Sequence, residues 1–353
     1  MGKIIVINPG ATSTKFGYYV DGVEEWTQEL KYNNDKLKNC DTLFDQFEFR
    51  LKDITDVLDE KKINNLDAVV SRGGLIGPVK SGAYIIDSSV LEKLEFDPVL
   101  EHASNLGAKI AYNILGKYGT EEAKSYIYDP VTVDEMIDIA RITGVKEIQR
   151  KSIGHHLNMR AVAFKVAEEH NIPYQEANIV VVHLGGGSTA SAHRKGKIID
   201  FVSDDEIMFS AERSGGVPLK ELLPLLEKYS PEELSKKLRN ESGLQSLLGT
   251  KDLVEIIERI ENGDEYAEKV ISALSLQIAK TIATLATTLK GEVDYICLTG
   301  GMAYSDLIYS QVASYVGYIA PVKRYPGEFE LIALAQGGER ILTDQEKANV
   351  FAH

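Results

Sequence analysis

The sequence predicts an α/β protein built from two similar domains, and three observations support that prediction. Residues 4–22 show an apolar run, a turn rich in glycine and hydroxyl groups, a second apolar stretch and a second turn. Residues 179–197 repeat this order about half a chain later. The segments between and after the two copies have helical periodicity, and strands that alternate with helices are typical of the α/β class.

Each copy of the repeat is predicted to be a β-hairpin. The runs Ile4–Ile7 and Ile179–Val182 are typical of buried strands, and the glycine-rich turns that follow lead into second strands. A repeat at this separation favours a duplication, with one domain over residues 1–148 and the other over residues 149–329. Two unrelated hairpins that match by chance stay an alternative.

The remaining elements are predicted from capping signals and spacing. The run Ser230–Glu233 is typical of a helix start, because it combines a cap, a proline in the first turn and a glutamate three residues on. Apolar residues at three- and four-residue spacing over 270–289 predict a core helix that ends near Gly291, with interspersed alanines that permit close packing. The run Tyr295–Leu298 predicts a third strand before another glycine turn.

The composition excludes several classes of function. A formal net charge of −14 over 353 residues argues against a nucleic-acid or anionic-membrane surface, so an anionic ligand needs a local basic pocket. The first ten residues carry too short an apolar run for a signal peptide, and we expect no membrane-spanning stretch of roughly 20 apolar residues. The two cysteines, Cys40 and Cys297, lack metal-ligand spacing and are expected to be reduced, buried thiols in a cytoplasmic protein.

Three glycine-rich turns indicate a ligand that carries phosphate. They lie at residues 10–15, 185–189 and 300–301. Turns without bulky side chains let backbone N–H groups approach an anion, and nearby hydroxyls and a lysine add donors. The two standard nucleotide signatures, GxxxxGK[ST] and a GxGxxG that opens a helix, do not occur, so neither a P-loop protein nor a dinucleotide-binding domain is predicted.

Five charged or titratable residues are candidates for chemistry. Arg72 and Arg213 lie in glycine-rich segments, where a guanidinium can bind a carboxylate or phosphate with two parallel hydrogen bonds, although a surface salt bridge is the alternative for each. Asp129 follows a predicted strand, at a place where Mg²⁺ ligands usually lie. His155 could donate a hydrogen bond to a phosphoryl group, but His156 is adjacent and composition alone does not choose between them.

Taken together, these segments resemble the acetate and butyrate kinase family, which is part of the larger group of actin-like ATPases. The resemblance covers nearly the whole chain, and its length and middle segments favour the butyrate and branched-chain members. The matching segments are INPGATSTK (7–15), SRGGL (71–75), HASNLGAKIAY (102–112), YDPVTVDEM (128–136), KSIGHHLN (151–158), VVHLGGGSTASAHRKGK (181–197), ERSGG (212–216), LTGGMAYS (298–305) and YPGEFELIALAQGGERIL (325–342).

The resemblance implies an architecture and a set of catalytic residues. The fold would be two duplicated actin-like (ribonuclease H-like) domains that flank a nucleotide cleft, with a helix over about 330–353 packing back on the first domain. Asn8 would help to position the phosphoryl group, and Arg72 and Arg213 would be the active-site arginines. Asp129 would act through Mg²⁺ and in the transfer, and His155 would stabilise the transition state.

The resemblance also implies residues that bind the nucleotide and the metal. Asp129 and Glu330 would be the carboxylates linked to Mg²⁺. The residues matched to the phosphate and adenosine turns are Ser13, Lys15, His183, Gly185, Gly186, Gly187, Gly300 and Gly301.

Three departures from the family pattern bear on these expectations. Ala11 stands where a serine is usual, which removes a hydroxyl donor. Gly154 stands where a phenylalanine is expected, so we expect free space beside His155 that would favour longer or branched acids. Residues 201–209 replace a longer glycine-rich loop that leads into Arg213, which puts the placement of that arginine in question.

The expected function is ATP-dependent phosphorylation of the carboxylate of a short-chain fatty acid, butyrate or a branched relative, by direct in-line transfer with Mg²⁺. A carboxylate is already a nucleophile at pH 7, so catalysis reduces to positioning and charge cancellation. A degenerate nucleotide-binding protein with a sensing role, and an acetate or propionate kinase, stay alternatives. The implied partners are the small acid and further copies of the chain, as a homodimer or larger homo-oligomer, without nucleic acid or membrane.

Overall fold

The chain folds into two compact units. The computed structural model describes residues 2–352, and of Asn34 only the backbone. The first unit takes the chain up to Asp134 and again from Phe329, and the second unit is Glu135–Glu328. The first boundary lies 14 residues before the expected limit at residue 148, and the second lies one residue before the expected limit at residue 329. The expected domain limits stay a prediction.

The first unit is built on a six-stranded mixed sheet in the order β3-β2-β1-β4-β6-β5. β1 pairs antiparallel with β2 and parallel with β4, and β4 pairs parallel with β6. The parallel strands therefore end at one edge of the sheet. The strands are β1 (Lys3–Pro9), β2 (Ser13–Val20), β3 (Val23–Lys31), β4 (Leu66–Arg72), β5 (Ala83–Ile85) and β6 (Gly119–Tyr128).

Apolar residues on both faces of β1 explain why that strand is central. Ile5 and Ile7 pack in a core with residues of α2 and α4, including Ile54 and Ile110, and all of them are fully buried. Burial of such side chains is the main driving force for this layer. The helices of this part are α1 (Asn34–Lys38), α2 (Phe47–Glu60), α3 (Ser88–Phe96) and α4 (Leu106–Tyr118), with 3₁₀ turns at Leu43–Gln46 and Ala103–Asn105.

The second unit repeats the strand order of the first. Its five-stranded sheet has the order β11-β10-β7-β8-β9, with antiparallel pairs β7–β8 and β8–β9 and parallel pairs β10–β7 and β10–β11. A hairpin meander followed by parallel strands therefore occurs twice, as the duplicated pattern predicts. The strands are β7 (Ile179–His183), β8 (Thr189–Arg194), β9 (Lys197–Val202), β10 (Tyr295–Gly300) and β11 (Val322–Pro326).

Helices cover the second sheet. The predicted helix start at Ser230 is confirmed, with a capping box between Ser230 and Glu233 and a proline in the first turn. The helices are α5 (Asp138–Arg141), α6 (His156–Glu169), α7 (Leu219–Leu222), α8 (Pro231–Asn240), α9 (Gly243–Leu248), α10 (Leu253–Glu261), α11 (Glu265–Thr288) and α12 (Asp306–Val316), with 3₁₀ turns at Leu223–Glu227 and Gly301–Tyr304.

The helix α11 is the predicted core helix of residues 270–289. Leu274, Ile278, Ile282 and Leu285 are fully buried in the core of the second unit. By length and composition alone α11 could cross a membrane, contrary to the expectation that no stretch reaches this limit. A buried core helix meets the same criterion, so the finding is weak support for a membrane span.

The last helix of the chain, α13 (Glu330–Leu342), packs on β1 and β4 of the first unit. Gly338 permits close approach, because a Cβ there would lie 2.9 Å from Val70 Cγ2 and 3.0 Å from Ile4 Cδ1. The helix thereby covers the sheet face opposite to α2 and α4, and it places Glu330 at its N-terminus. Of the two cysteines, both free, Cys297 is buried as expected, whereas Cys40 is only half-buried.

Candidate active site

The carboxyl edge of the first sheet brings predicted residues together. Asn8 lies near the end of β1, Arg72 ends β4, and Asp129 follows β6, and these three strands run parallel. In α/β sheets, the carboxyl ends of the strands are the usual place for ligands. The three residues come from neighbouring strands, as expected of parts of one site.

Glu330 connects two of them. Its Oε1 lies 3.2 Å from Arg72 Nη1, and its Oε2 accepts a hydrogen bond from Asn8 Nδ2. A carboxylate is favoured at the first residue of α13 by the helix dipole. The second amide atom of Asn8, Oδ1, is buried and has no hydrogen-bond partner among residues 2–352. Such an orphaned oxygen is an available acceptor or metal ligand.

Asp129 is held by a reciprocal backbone contact with Gly82. Its Oδ1 accepts a hydrogen bond from the Gly82 N–H at 2.7 Å, and its own N–H donates to the Gly82 carbonyl at 3.1 Å. The residue is 2% exposed and has a left-handed backbone, with φ of 40°. Non-glycine residues in this region are uncommon and concentrate at functional sites.

The first glycine turn closes between β1 and β2. The Gly10 N–H donates to the Ser13 carbonyl at 2.8 Å, and Ala11 at its tip is exposed. Lys15 lies directly opposite Asn8 in the β1–β2 register, so both side chains project from the same face of the hairpin. Ser13 and Lys15 are each partly exposed.

Sequence reasoning missed Arg50, which holds this turn from behind. The side chain is 0% exposed, and its Nη1 donates to the carbonyls of Gly10 and Ser13 at 2.9 and 3.1 Å. Its Nη2 donates to the Ala11 carbonyl at 3.1 Å, and both Nε and Nη2 donate to Gln46. Burial lowers the pKa of Arg50.

A signal for Arg50 was present in the sequence. The buried residues of α2 are Phe47, Arg50, Ile54 and Leu58, at spacings of three and four residues. A lone arginine on the buried stripe of an amphipathic helix requires a set of internal acceptors. The carbonyls of residues 10, 11 and 13 supply them, so Arg50 fixes the conformation of the first glycine turn.

The second unit contains the other two glycine turns, and they meet through the backbone. The Leu184 N–H donates to the Thr299 carbonyl at 2.8 Å, and the Met302 N–H donates to the Leu184 carbonyl at 3.1 Å. Gly300 has φ of 86°, and a Cβ there would lie 2.3 Å from the Leu184 carbonyl oxygen. Only glycine fits this position. The close backbone contact that glycine permits keeps residues 184–187 beside residues 300–301.

Arg213 lies against the middle turn. The Glu212 N–H donates to the Gly186 carbonyl at 3.2 Å, and a Cβ on Gly187 would lie 2.8 Å from Arg213 Cζ. The guanidinium forms an ion pair with Asp204, and its Nε is buried without a hydrogen-bond partner among residues 2–352. Burial, and then the charge of Arg239, lower the pKa of Arg213.

The ion pair shows how the altered segment 201–209 affects the placement of Arg213. That segment supplies Asp204, whose side chain is 12% exposed, as the partner of Arg213. The segment therefore fixes the arginine beside the glycine turn rather than displacing it. An anionic ligand at Arg213 would compete with Asp204 for the guanidinium.

The structure distinguishes the two adjacent histidines. His155 is partly exposed, contacts Thr189 Oγ1 through Nδ1 at 3.0 Å, and stacks on His183 with ring centroids 3.9 Å apart. His156 is fully buried and contacts Ser152 Oγ through Nε2 at 2.8 Å. His155 is therefore the histidine that can reach a ligand, and His156 is part of the core.

The expectation of free space beside Gly154 is wrong. A Cβ at Gly154 would lie 2.5 Å from Phe201 Cζ and 3.0 Å from Thr189 Cγ2. The ring of Phe201, from β9, is 1% exposed and stacks on His156 with centroids 4.8 Å apart. An aromatic ring thus lies beside residue 154, but it belongs to Phe201 of β9 and not to residue 154 itself.

The candidate ligands for Mg²⁺ are two carboxylates and one amide oxygen of the first unit. Within residues 2–352, no three His, Cys, Asp or Glu side chains form a group that could hold a metal ion. Mg²⁺ that accompanies a nucleotide usually takes one or two carboxylates, with phosphate and water completing its shell. The buried carboxylates of Asp129 and Glu330, and the unpartnered oxygen of Asn8, fit that pattern. They do not fit a metal held by protein ligands alone.

The predicted residues therefore fall into two groups. The first unit holds Asn8, Ser13, Lys15, Arg72, Asp129 and Glu330. The second unit holds His155, His183, Gly185, Gly186, Gly187, Arg213, Gly300 and Gly301. Each group is assembled from strand ends and turns of its own sheet. The roles of these residues stay predictions.

Comparison with known proteins decides the family. Butyrate kinase 1 of Clostridium acetobutylicum is 42% identical over 357 aligned positions, which cover 99% of this chain and 100% of that protein. A probable butyrate kinase of Clostridium botulinum is 41% identical, with 99% of each chain covered. The chain belongs to the acetokinase family. The profile of that family matches residues 143–315, and the resemblance deduced from the sequence is confirmed.

Solved structures confirm the fold. The acetate kinase of Porphyromonas gingivalis has a TM-score of 0.78 at 19% identity and covers 97% of this chain and 100% of that one. A propionate kinase of Francisella tularensis has a TM-score of 0.76 at 19% identity, with 95% and 99% covered. Identities this low show the fold alone. The predicted class, the duplicated α/β fold of the actin-like ATPases, is confirmed.

Proposed function

We propose that this acetokinase-family chain is a carboxylate kinase that transfers the γ-phosphoryl group of ATP to butyrate or a branched relative, reversibly, to give the acyl phosphate. The observation that carries the proposal is the similarity, at 41–42% identity over the full chain, to proteins named butyrate kinase. The structural likeness to acetate and propionate kinases concerns the fold, and the preferred acid is left to experiment.

The chemistry requires charge cancellation more than acid–base catalysis. The acid is a carboxylate at pH 7, so one of its oxygens can attack the γ-phosphorus while the bond to the β-phosphate oxygen breaks and ADP leaves. Both reactants are anions, so cationic and hydrogen-bonding groups must offset their repulsion. Arg72, Arg213 and His155 are the groups that we assign to this task, with Asn8 positioning the phosphoryl group.

The nucleotide phosphates are assigned to the glycine turns. Backbone N–H groups and hydroxyls at such turns bind phosphate oxygens, and Ser13 and Lys15 add a hydroxyl and a charge in the first unit. In the second unit we assign His183, Gly185–Gly187 and Gly300–Gly301 to ATP. The fixed backbone of Gly300 favours this assignment, because it keeps the two turns side by side.

Mg²⁺ is assigned to the carboxylates of the first unit. When bound, it would neutralise charge on the β- and γ-phosphate oxygens. Asp129 and Glu330 are the residues that would hold it. Since Glu330 already binds Arg72 and Asn8, it also fixes the orientation of both side chains.

Two alternatives remain open to experiment. The Asp204–Arg213 pair favours a degenerate nucleotide-binding protein if the acid substrate cannot displace Asp204. An acetate or propionate kinase is the other alternative, because the solved neighbours carry those names. A cytoplasmic homodimer or larger homo-oligomer completes the proposal, on the strength of the family resemblance.

A hydroxamate-trapping assay tests the proposal. Purified protein is incubated with ATP, Mg²⁺ and a series of acids from two to six carbons, and the acyl phosphate is trapped with hydroxylamine. Turnover that is greatest with butyrate or a branched acid is expected. Absence of product with every acid, together with measurable ATP binding, would favour the degenerate protein. A maximum at acetate or propionate would favour the other alternative.

A further inference from the structure

A cleft in the second unit is lined by none of the residues assigned to catalysis. Its volume is about 690 Å³, within the range of about 300–1,000 Å³ that is usual for small-molecule sites. One wall is the segment around α5, with Ile137, Ile139 and Ala140. The other walls are the β8–β9 turn with Ile199 of β9 and the end of α11.

The lining is basic although the protein is acidic. Arg194, Lys195, Lys197 and Lys290 line the cleft, against one carboxylate, Asp200. Asp200 is already engaged, because Arg150 Nη1 lies 2.9 Å away and Thr288 donates to it at 2.7 Å.

Among residues 2–352, one of these four cations forms an ion pair. Arg194 pairs with Glu292 at 3.0 Å. Within residues 2–352, Lys195, Lys197 and Lys290 form no ion pair, in a chain with a net charge of −14. Lys290 follows the C-terminus of α11, where a cation is favourable in any case. The more informative cations are therefore Lys195 and Lys197.

The backbone at Lys195 places its side chain on the turn between β8 and β9. Lys195 and Gly196 both have positive φ, 53° and 74°, as a two-residue hairpin turn of this type requires. In the matching turn of the first unit, these positions hold Asp21 and Gly22, with φ of 51° and 76°. Aspartate, asparagine and glycine are the favoured residues there, whereas lysine is not. The second hairpin thus carries a lysine at the rim of the cleft where the first hairpin carries an aspartate, and lysines with positive φ occur also at positions 62 and 290.

We propose that this cleft binds a small amphiphilic anion, with a hydrocarbon chain against Ile137, Ile139 and Ile199 and a carboxylate or phosphate head at Lys195 and Lys197. The apolar wall and the lysines without ion pairs among residues 2–352 together favour this class over a sugar or a free metal ion. Ile139 is 77% exposed, so the wall is accessible to a ligand.

Methyl-labelled isoleucine NMR tests the proposal, because the cleft contains its own reporters. Octanoate added below its micelle concentration is expected to shift the methyl signals of Ile137, Ile139 and Ile199. Octanol, which has the same chain without the charge, and inorganic phosphate, which has charge without a chain, are expected to shift them at least tenfold more weakly. Binding of octanoate at the catalytic residues would instead shift the methyl group of Ile153, beside His155, so the two sites are read separately.

Two matched variants separate charge from folding. Lys195→Asn removes the charge and places a favoured residue at positive φ, so the melting temperature should stay or rise while octanoate binding weakens. With Lys197→Asn added, we expect about a tenfold loss of affinity, the scale of two exposed charge interactions. Lys62→Asn is the control, because Lys62 is exposed, has φ of 55° and lies in the first unit, so octanoate affinity should be unchanged.

Three results would overturn the proposal. The first is the absence of methyl shifts at Ile139 and Ile199 up to the solubility limit of octanoate. The second is an unchanged affinity in the Lys195→Asn/Lys197→Asn double variant. The third is dissociation of an oligomer by Ile139→Ser in light scattering, which would assign the cleft to contact with a second copy.

Discussion

The ring of Phe201 occupies the space that a side chain at Gly154 would need, with Phe201 Cζ 2.5 Å from the position of a Cβ on residue 154. Gly154→Phe should therefore destabilise the protein rather than fill a cavity, because two rings would compete for one space. We expect a clear fall in melting temperature, which Phe201→Ala in the same chain should partly restore. Additive losses in the double variant would contradict this competition.

The same pair of residues predicts a change in acid preference. Phe201→Ala alone leaves a cavity beside Gly154 and should cost about 3–5 kcal/mol of stability. Each additional CH₂ of substrate buried there is worth about 0.8 kcal/mol, so the ratio of kcat/KM for valerate over butyrate should rise several-fold. An unchanged ratio in a folded Phe201→Ala variant would place the acid elsewhere.

The two arginines should be needed for turnover more than for nucleotide binding. Arg72→Ala and Arg213→Ala should each lower kcat by about 10³-fold or more, the scale of an arginine that neutralises a transferring phosphoryl group, with a small change in KM for ATP. Arg324→Ala is the control, because this exposed arginine pairs with Asp306 at the surface and lies over the ring of Tyr309. Near-normal turnover of either active-site variant on all acids would remove that arginine from the site.

The variant Asp129→Asn separates a metal ligand from a strand-end residue. An asparagine side chain at this position would keep the acceptor for the Gly82 N–H and tolerate the positive φ, so the fold should persist. We expect Asp129→Asn to raise the Mg²⁺ concentration for half-maximal activity at least tenfold. Asp306→Asn, at an exposed surface position, should leave it unchanged. The same metal dependence in Asp129→Asn and wild type would make Asp129 structural.

Much of the first-unit site could be predicted, because it depends on strand ends. Arg72 and Asp129 stand at the ends of apolar runs that form β4 and β6, and parallel strands bring such ends to one edge. The link through Glu330 could not be deduced from periodicity, since α13 returns from a distant part of the sequence. Only the resemblance to the acetate and butyrate kinase family assigned Glu330 to this site.

The parts that sequence reasoning missed depend on the path of loops and on which side chain fills a given space in the core. The Asp204–Arg213 pair depends on the path of residues 201–209, which carries no periodic signal. Phe201 and Gly154 are neighbours from different parts of the chain, and a single sequence does not show that the ring of one fills the space beside the other. Arg50 was predictable in principle, because it interrupts an apolar stripe.

The buried His193 should make stability fall in acid. Burial, with smaller effects of Arg160 and His156, lowers the pKa of His193 from an ordinary value of 6.5 to about 3. Below pH 6.5 the unfolded chain binds a proton that the folded chain does not, so this contribution is complete above pH 6.5 and declines towards pH 3. The slope is about 1.4 kcal/mol per pH unit.

Denaturant titrations between pH 7 and pH 4 measure this slope. His193→Gln should make the slope shallower by the contribution of about one proton. Equal slopes for wild type and His193→Gln would mean that His193 is protonated in the folded protein.

The last prediction concerns Arg50 and the turn that it holds. Arg50→Lys keeps the charge but loses the planar fork, so the three carbonyls at residues 10, 11 and 13 cannot all be bound. An unsatisfied buried carbonyl costs about 1–3 kcal/mol, and the turn should become less ordered. Measured well below the melting temperature, KM for ATP should rise and kcat should fall more in Arg50→Met than in Arg50→Lys. Lys52→Ala, an exposed change on the same helix, should alter neither constant. A variant that melts earlier but keeps both constants would show that Arg50 stabilises the unit without positioning the phosphate turn.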